Sequence, residues 1–182
     1  TANTVYASGT KMYKSIDFGD NWTEVTTGLP STNVSRIALA VTLADPSTVY
    51  AVYGKDSDQS FLGFYKSTNR GASWSKQGGH KTSGNYYQEI IADPVDANTV
   101  YSMDTWMSVS HNGGKSFSKV GEDTKHVDNH CMWINPSNNA HWLIGCDGGI
   151  YETWDAAKTW DFKANLPVTQ FYKVALDNDS PF

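Results

Sequence analysis

One phrase is written four times along this chain: KSIDFGDNW from Lys14, KSTNRGASW from Lys66, VSHNGGKSF from Val109 and ETWDAAKTW from Glu152. Each reads Ser/Thr-x-Asp/Asn-x-Gly/Ala-x-Ser/Thr/Asn-aromatic. The leading hydroxyl residues, Ser15, Ser67, Ser110 and Thr153, are spaced by 52, 43 and 43 residues. A period of that length is one four-stranded propeller blade. The chemistry of the phrase is that of a tight turn. A short acid or amide side chain captures nearby backbone N–H groups, a following residue tolerates positive φ, and the closing aromatic enters the apolar layer between sheets. On this reading Ser15, Asp17, Gly19 and Trp22 are structural. So are Ser67, Asn69, Gly71 and Trp74 in the second copy, Ser110, Asn112, Gly114 and Phe117 in the third, and Thr153, Asp155 and Trp160 in the fourth.

A second phrase precedes the later turns. ADPSTVYAVY, ADPVDANTVYSM and NPSNNAHWLIGC each give an Asp/Asn-Pro turn followed by a β-branched and aromatic strand. Apolar residues alternate with period two in VSRIALAV and YYQEIIA, Gly and Pro punctuate the intervals, and no segment has helical periodicity. The predicted fold is all-β: propeller blades of four antiparallel strands, forming a section of a larger propeller. The divisions are a part-blade at 1–27, blades at 28–79, 80–121 and 122–165, and the first strand of a further blade at 166–182. The rival arrangement is a four-bladed ring in which Phe171 to Asp177 pairs with Thr4 to Ser8.

Composition narrows the function classes. Hydrophobic residues make up 39% and aromatic residues 13% of 182, enough for a packed core. Acids outnumber bases, 19 to 14, and no Lys/Arg cluster interleaves with aromatics, which argues against nucleic acid as a partner. No apolar run reaches the length of a membrane span.

The turn phrase resembles the Asp-box, or BNR, repeat found in β-propellers of sialidases, of xyloglucan-cleaving glycoside hydrolases and of sortilin-type receptors. The closing stretch, from DNHCMWINPSNNAHWLIGCDGG onward, is similar to bacterial secreted sortilin-like or glycosyl-hydrolase-like propeller proteins. The resemblance implies a secreted, periplasmic or cell-surface location and a glycan or protein ligand. The ring would be completed by the remainder of a longer chain or by neighbouring chains. A sialidase would need three arginines gripping a carboxylate, and Arg36 and Arg70 are the only arginines here. Xyloglucanase-like propellers draw their paired acids from two facing propellers.

The segment HVDNHCMWINPSNNAHWLIGCDGG carries the candidate site. A short Pro136–Ala140 connection makes its two strands antiparallel, and a register placing Asn135 opposite Trp142 sets Cys131 opposite Cys146 and His130 opposite Asp147. That register places Trp133 and Ile144 on one face and Asp128, His130 and Asp147 on the other, with His126 on the same side by alternation. Opposed cysteines could form a Cys131–Cys146 disulfide or pack as two buried free thiols. A His between two carboxylates favours its protonated form, or a divalent cation held by Asp128, His130 and Asp147; the competing reading is a hydrated channel wall. No other cofactor is expected. Asp104 and Asp147 hold matching places in successive blades and are the candidate catalytic acids. Tyr86, Tyr87, Trp106, Trp154 and Tyr172 exceed what the core needs and suit stacking on sugars. The expected function is a non-catalytic binding or scaffold section of a secreted propeller; the alternative is part of a xyloglucanase-like glycoside hydrolase using paired carboxylates.

Overall fold

The computed structural model describes residues 3–55, 61–80, 82 and 86–166. Phe171 to Asp177, Tyr172 and almost all of the 166–182 segment lie outside the described residues. Among the described residues the structure is all-β, and no helix is long and apolar enough to cross a membrane.

Four antiparallel sheets follow one another along the chain. The first contains β1 (Val5–Ser8), β2 (Met12–Ser15) and β3 (Thr23–Glu24). The second contains β4 (Val34–Val41), β5 (Val49–Lys55), β6 (Phe61–Ser67) and β7 (Ser75–Gly78). The third contains β8 (Glu89–Ala92), β9 (Val100–Met103), β10 (Ser108–Ser110) and β11 (Ser118–Lys119). The fourth contains β12 (Asn129–Ile134), β13 (Trp142–Cys146), β14 (Gly149–Thr153) and β15 (Asp161–Phe162). Strand order within each sheet is sequence order, as short hairpin connections require.

The repeated turn sets a common register. Its hydroxyl residue pairs with the same position of the preceding strand in every sheet: Ser15 with Val5, Ser67 with Val49, Ser110 with Val100 and Thr153 with Trp142. In the first turn the Gly19 N–H donates to Ser15 Oγ at 2.9 Å and the Asn21 N–H to Asp17 Oδ1 at 3.0 Å. The corresponding bonds recur at Gly71 and Ser73, at Gly114 and Ser116, and at Ala157 and Thr159. The two residues after each Asp or Asn have positive φ, even Ala156 and Ala157 at 56° and 70°, because the captured N–H groups hold the backbone there.

Alternating side chains feed three apolar layers, one between each pair of adjacent sheets. Met12, Val49, Ala51, Tyr53 and Trp74 fill the first, with Tyr6 and Val25 against them. Tyr50, Val52, Phe64, Ile90 and Val100 fill the second, and Tyr101, Met103, Met132, Trp142 and Ile144 fill the third. The β5 strand is therefore buried on both faces. The closing aromatics Trp74, Phe117 and Trp160 pack in or against the layer toward the preceding sheet. Trp22 differs and is 42% exposed, since no sheet among the described residues precedes β1–β3.

The β12–β13 register departs from the sequence expectation by one residue. Asn135 N–H donates to the His141 carbonyl at 3.0 Å, so Ile134 pairs with Trp142 and Met132 with Ile144. A one-residue slip exchanges the faces. Met132 and Ile134 enter the core while Trp133 is 48% exposed. Cys131 opposes Gly145 and Cys146 opposes Asn129, which puts the two sulfurs on opposite faces; both thiols are free, so of the two arrangements the sequence allowed the disulfide is not formed, and neither thiol is fully buried.

Candidate functional site

The HVDNH segment is not extended throughout. β12 begins at Asn129, and Asp128 has φ 63°, held by three backbone bonds. Its N–H donates to the Thr105 carbonyl at 2.9 Å, the neighbouring Asn129 N–H donates to the Asp104 carbonyl at 3.0 Å, and the Asp128 carbonyl accepts from the Asp147 N–H at 3.2 Å. The segment is thereby laced to the end of β9 in the third sheet and to the residue after β13 in its own. A bulge follows, with Asn129 opposite Cys146, Cys131 opposite Gly145 and His130 as the extra residue. Bulges of this kind re-aim a side chain.

Beneath the segment lies a buried polar network. The Lys125 ammonium is 2.8 Å from Glu122 Oε1, and both side chains are fully buried. Lys125 also donates to the Asn129 Oδ1 and to the His126 carbonyl. Glu122 accepts from the Met107 N–H at 2.7 Å and from Asn129 Nδ2 at 2.8 Å. Tyr151 and Trp160 present ring faces to the ammonium at 5.9 and 5.4 Å. Every partner of this pair is an uncharged dipole or the opposite charge, the condition under which a buried pair is tolerated.

Above it the side chains group as follows. His130 Nε2 lies 2.7 Å from Asp147 Oδ1, both groups being partly open to solvent. The Tyr87 ring stacks on His130 with centroids 5.3 Å apart and 26° between planes, and Tyr86 meets the imidazole edge-on at 5.8 Å. The Tyr87 hydroxyl donates to Asp128 Oδ1 at 2.8 Å. That bond, reinforced by desolvation and by the Asp128 and Asp147 charges, pushes the Tyr87 phenol up to about 12. Asp128 therefore joins the group through Tyr87. His126 goes elsewhere: its Nδ1 is 2.7 Å from the Val127 carbonyl, and its Cβ lies over Gly148, where an added methyl would fall 2.4 Å away. Strand alternation cannot align it with Asp128 and His130, because the αL turn at 128 interrupts the strand.

Among the described residues no group of three or more His, Cys, Asp or Glu side chains is disposed to hold a metal ion. Asp104 follows β9 as Asp147 follows β13; its Oδ1 accepts from the Thr105 N–H at 2.7 Å. Tyr86 is 60% exposed beside the His130–Asp147 pair. Trp154 stacks flat on His141 at 3.5 Å, and Lys119 sits over Trp106 at 5.3 Å. Sequence reasoning missed Glu122, Lys125 and Asn129. Their only signal is an acid and a base three residues apart in a turn-rich stretch, which ordinarily marks a solvated pair.

The site combines an aromatic surface with a hydrogen-bonded imidazole–carboxylate pair at the junction of two sheets. No protein-family model matches the chain. Over 123 residues it is 31% identical to a xyloglucanase of Hypocrea jecorina (strain QM6a), an alignment covering 58% of this chain and 14% of that protein. Among solved structures, the GH74 enzyme of Niastella koreensis superposes with a TM-score of 0.66 at 23% identity, covering 90% of this chain and 23% of that one. YCF48 bound to D1 peptide superposes with a TM-score of 0.60 at 12% identity, covering 88% and 51%. The fold is that of a β-propeller. The sheets described above are its blades, and the chain spans only a small part of the xyloglucanase to which it is similar.

Proposed function

We propose that this chain is a section of a xyloglucanase-like glycoside hydrolase, and that it holds a glucan chain against Tyr86, Tyr87, His130 and Asp147. The observation that carries the reading is the exposed Tyr86 ring set beside the His130–Asp147 pair. A sugar's apolar face stacks on an aromatic ring while its hydroxyls bond to carboxylate and imidazole. The partial identity with a xyloglucanase supports the substrate class. In this reading Asp147 is one member of a catalytic carboxylate pair, with His130 fixing its orientation, and the second acid comes from another part of the protein across the cleft. The turns are Asp-boxes, whose acids and amides are occupied in holding backbone. The protein acts outside the cytoplasm, as in the sortilin-like and hydrolase-like propellers that its closing stretch resembles.

Isothermal titration of the chain with xyloglucan oligosaccharides tests the binding step. Tyr86→Ala should weaken affinity about tenfold, the equivalent of ~1.4 kcal/mol. No binding, or binding indifferent to this substitution, sinks the proposal. A binding-only role is the second reading, favoured because the repeated acids Asp17 and Asp155 are engaged in turns. The two separate in the full-length protein. Asp147→Asn should abolish xyloglucan hydrolysis while weakening binding only modestly, since the amide still bonds to sugar hydroxyls, if the chain belongs to an enzyme, whereas a binding protein hydrolyses nothing.

A further inference from the structure

Tyr86 and Tyr87 stand just before β8 begins at Glu89, so no strand ladder holds the two rings of the site. An attachment to the second sheet takes the ladder's place. Successive residues of an extended chain point to opposite sides, and here Tyr87 turns toward His130 of the fourth sheet while Gln88 turns toward the second. Gln88 is 1% exposed. Its Nε2 donates to the Val52 carbonyl at 3.2 Å and to the Arg36 carbonyl at 3.3 Å, which ties it to β5 and β4 together. Arg36 adds to the tie from its side: Nη1 donates to the Tyr86 carbonyl at 3.4 Å, and Nη2 lies 3.6 Å from Glu89 Oε1.

The carboxamide is seated over Gly54. A Cβ at that position would fall 2.8 Å from Gln88 Oε1, 3.1 Å from its Nε2 and 2.8 Å from Ser35 Oγ, so a methyl there must displace the buried amide. The two bonds from Nε2 use both of its N–H groups. With the side chain fixed in this way, the backbone before it is fixed as well, and from there the Tyr87 ring lies on His130 at 5.3 Å and its hydroxyl reaches Asp128 at 2.8 Å. We propose that Gln88 is a positioning residue of the site: its carboxamide, seated over Gly54, lets the second sheet hold Tyr87 against His130 and Asp128. It acts through Tyr87. The site then depends on three successive sheets, although its exposed groups come from two. The consequence for ligand affinity rests on the glycan-holding reading of the site; the placement of Tyr87 does not.

The His130 imidazole reports the placement directly, because a proton over an aromatic face is shielded by the ring current. In proton NMR of the full chain, His130→Gln assigns the His130 ring signals among the five histidines, and Tyr87→Ala gives their position without the stacked ring. Gln88→Met keeps the length of the side chain and loses both donors. It should move the His130 signals most of the way to their position in Tyr87→Ala and leave those of His111 and His141 in place. Gly54→Ala should do the same and covers the case in which Gln88→Met fails to fold. Residue 54 has no positive φ, so the added methyl acts on the carboxamide and not on the backbone. Affinity for a xyloglucan oligosaccharide should fall about fivefold in both variants, within the range for coupling carried by packed networks. His130 signals that stay at their wild-type position in both variants overturn the proposal. Equal displacement of the His111 and His141 signals would show a general loss of packing and overturn it as well. If the His130 signals move as expected while the unsubstituted chain binds no oligosaccharide, the positioning role stands and the glycan-holding reading falls.

Discussion

Asp17 and Asp155 do in two turns what Asn69 and Asn112 do in the others, and the difference is a titratable proton. All four accept the N–H four residues ahead through Oδ1, at 2.9–3.0 Å. The geometry therefore requires the oxygen and not the charge. The charge does make the turn sensitive to acid. Hydrogen bonds from Thr159, first its hydroxyl and then its N–H, hold the Asp155 carboxyl down from 3.8 to about 2. The Ser15 hydroxyl and Asn21 do the same for Asp17, also to about 2. A carboxyl depressed in the folded state contributes stability that is present above its unfolded value and is lost as pH falls through the folded one. Acid should destabilise the protein between about pH 4 and pH 2. Asp155→Asn should leave the melting temperature near neutrality unchanged, since the amide can accept from the Thr159 N–H and donate to its hydroxyl as Asn69 does to Ser73. The variant should lose less stability over the acid window. Thermal melts from pH 6 to pH 2 that ran parallel for both proteins would show that this carboxyl does not carry the acid sensitivity.

At the scale of elements, the connection from β11 to β12 decides the geometry of the site, and it does so through groups that look ordinary in sequence. Glu122, Lys125 and Asn129 bond to one another beneath Asp128, and through Met107 and the carbonyls of Asp104 and Thr105 they tie the fourth sheet to the third. Lys125→Met should cost about 3–5 kcal/mol in urea unfolding, because Glu122 is left buried without its counter-charge. Lys125→Met with Glu122→Gln should cost less than the sum of the two single losses, since the members share one network. Strict additivity would mean that the charges act separately. The strands and turns around this connection were legible from the sequence, because alternation and a four-fold turn phrase are local signals. The His130–Asp147 pairing was also legible as a proximity. Its mechanism was not, because the one-residue register shift and the bulge at His130 depend on which backbone groups bond across the Asn135–His141 turn. Tyr87 escaped the cluster for a related reason: it arrives from the preceding sheet, and single-strand periodicity carries no information about that junction.

The whole molecule is a stack in which a side chain's worth depends on its place in the series. Each sheet contributes one face to the layer before it and one to the layer after, so identical sequence positions meet different surroundings at the ends of the stack. The closing aromatics make this measurable. Trp74 is 7% exposed, packed against Met12 and the neighbouring Val25 and Leu29, and its Nε1 donates to the Gly71 carbonyl at 3.3 Å. The connection between the first two sheets closes on its backbone: Trp74 N–H donates to the Thr27 carbonyl at 3.1 Å, and a Cβ on Gly28 would fall 2.0 Å from the Trp74 carbonyl oxygen. Trp22 occupies the same place in its turn, yet is 42% exposed, with its ring against Gly19 of its own turn. The sequence treats the two alike, and the stack does not. Trp74→Ala should therefore destabilise the chain by about 3–5 kcal/mol, the usual cost of emptying a buried aromatic site. Trp22→Ala should cost about 1 kcal/mol or less, as for a largely surface substitution. Urea titrations of the two variants under one condition decide the matter. Equal losses would mean that the outer face of β1–β3 is covered in solution, and that the first sheet has a neighbour of its own.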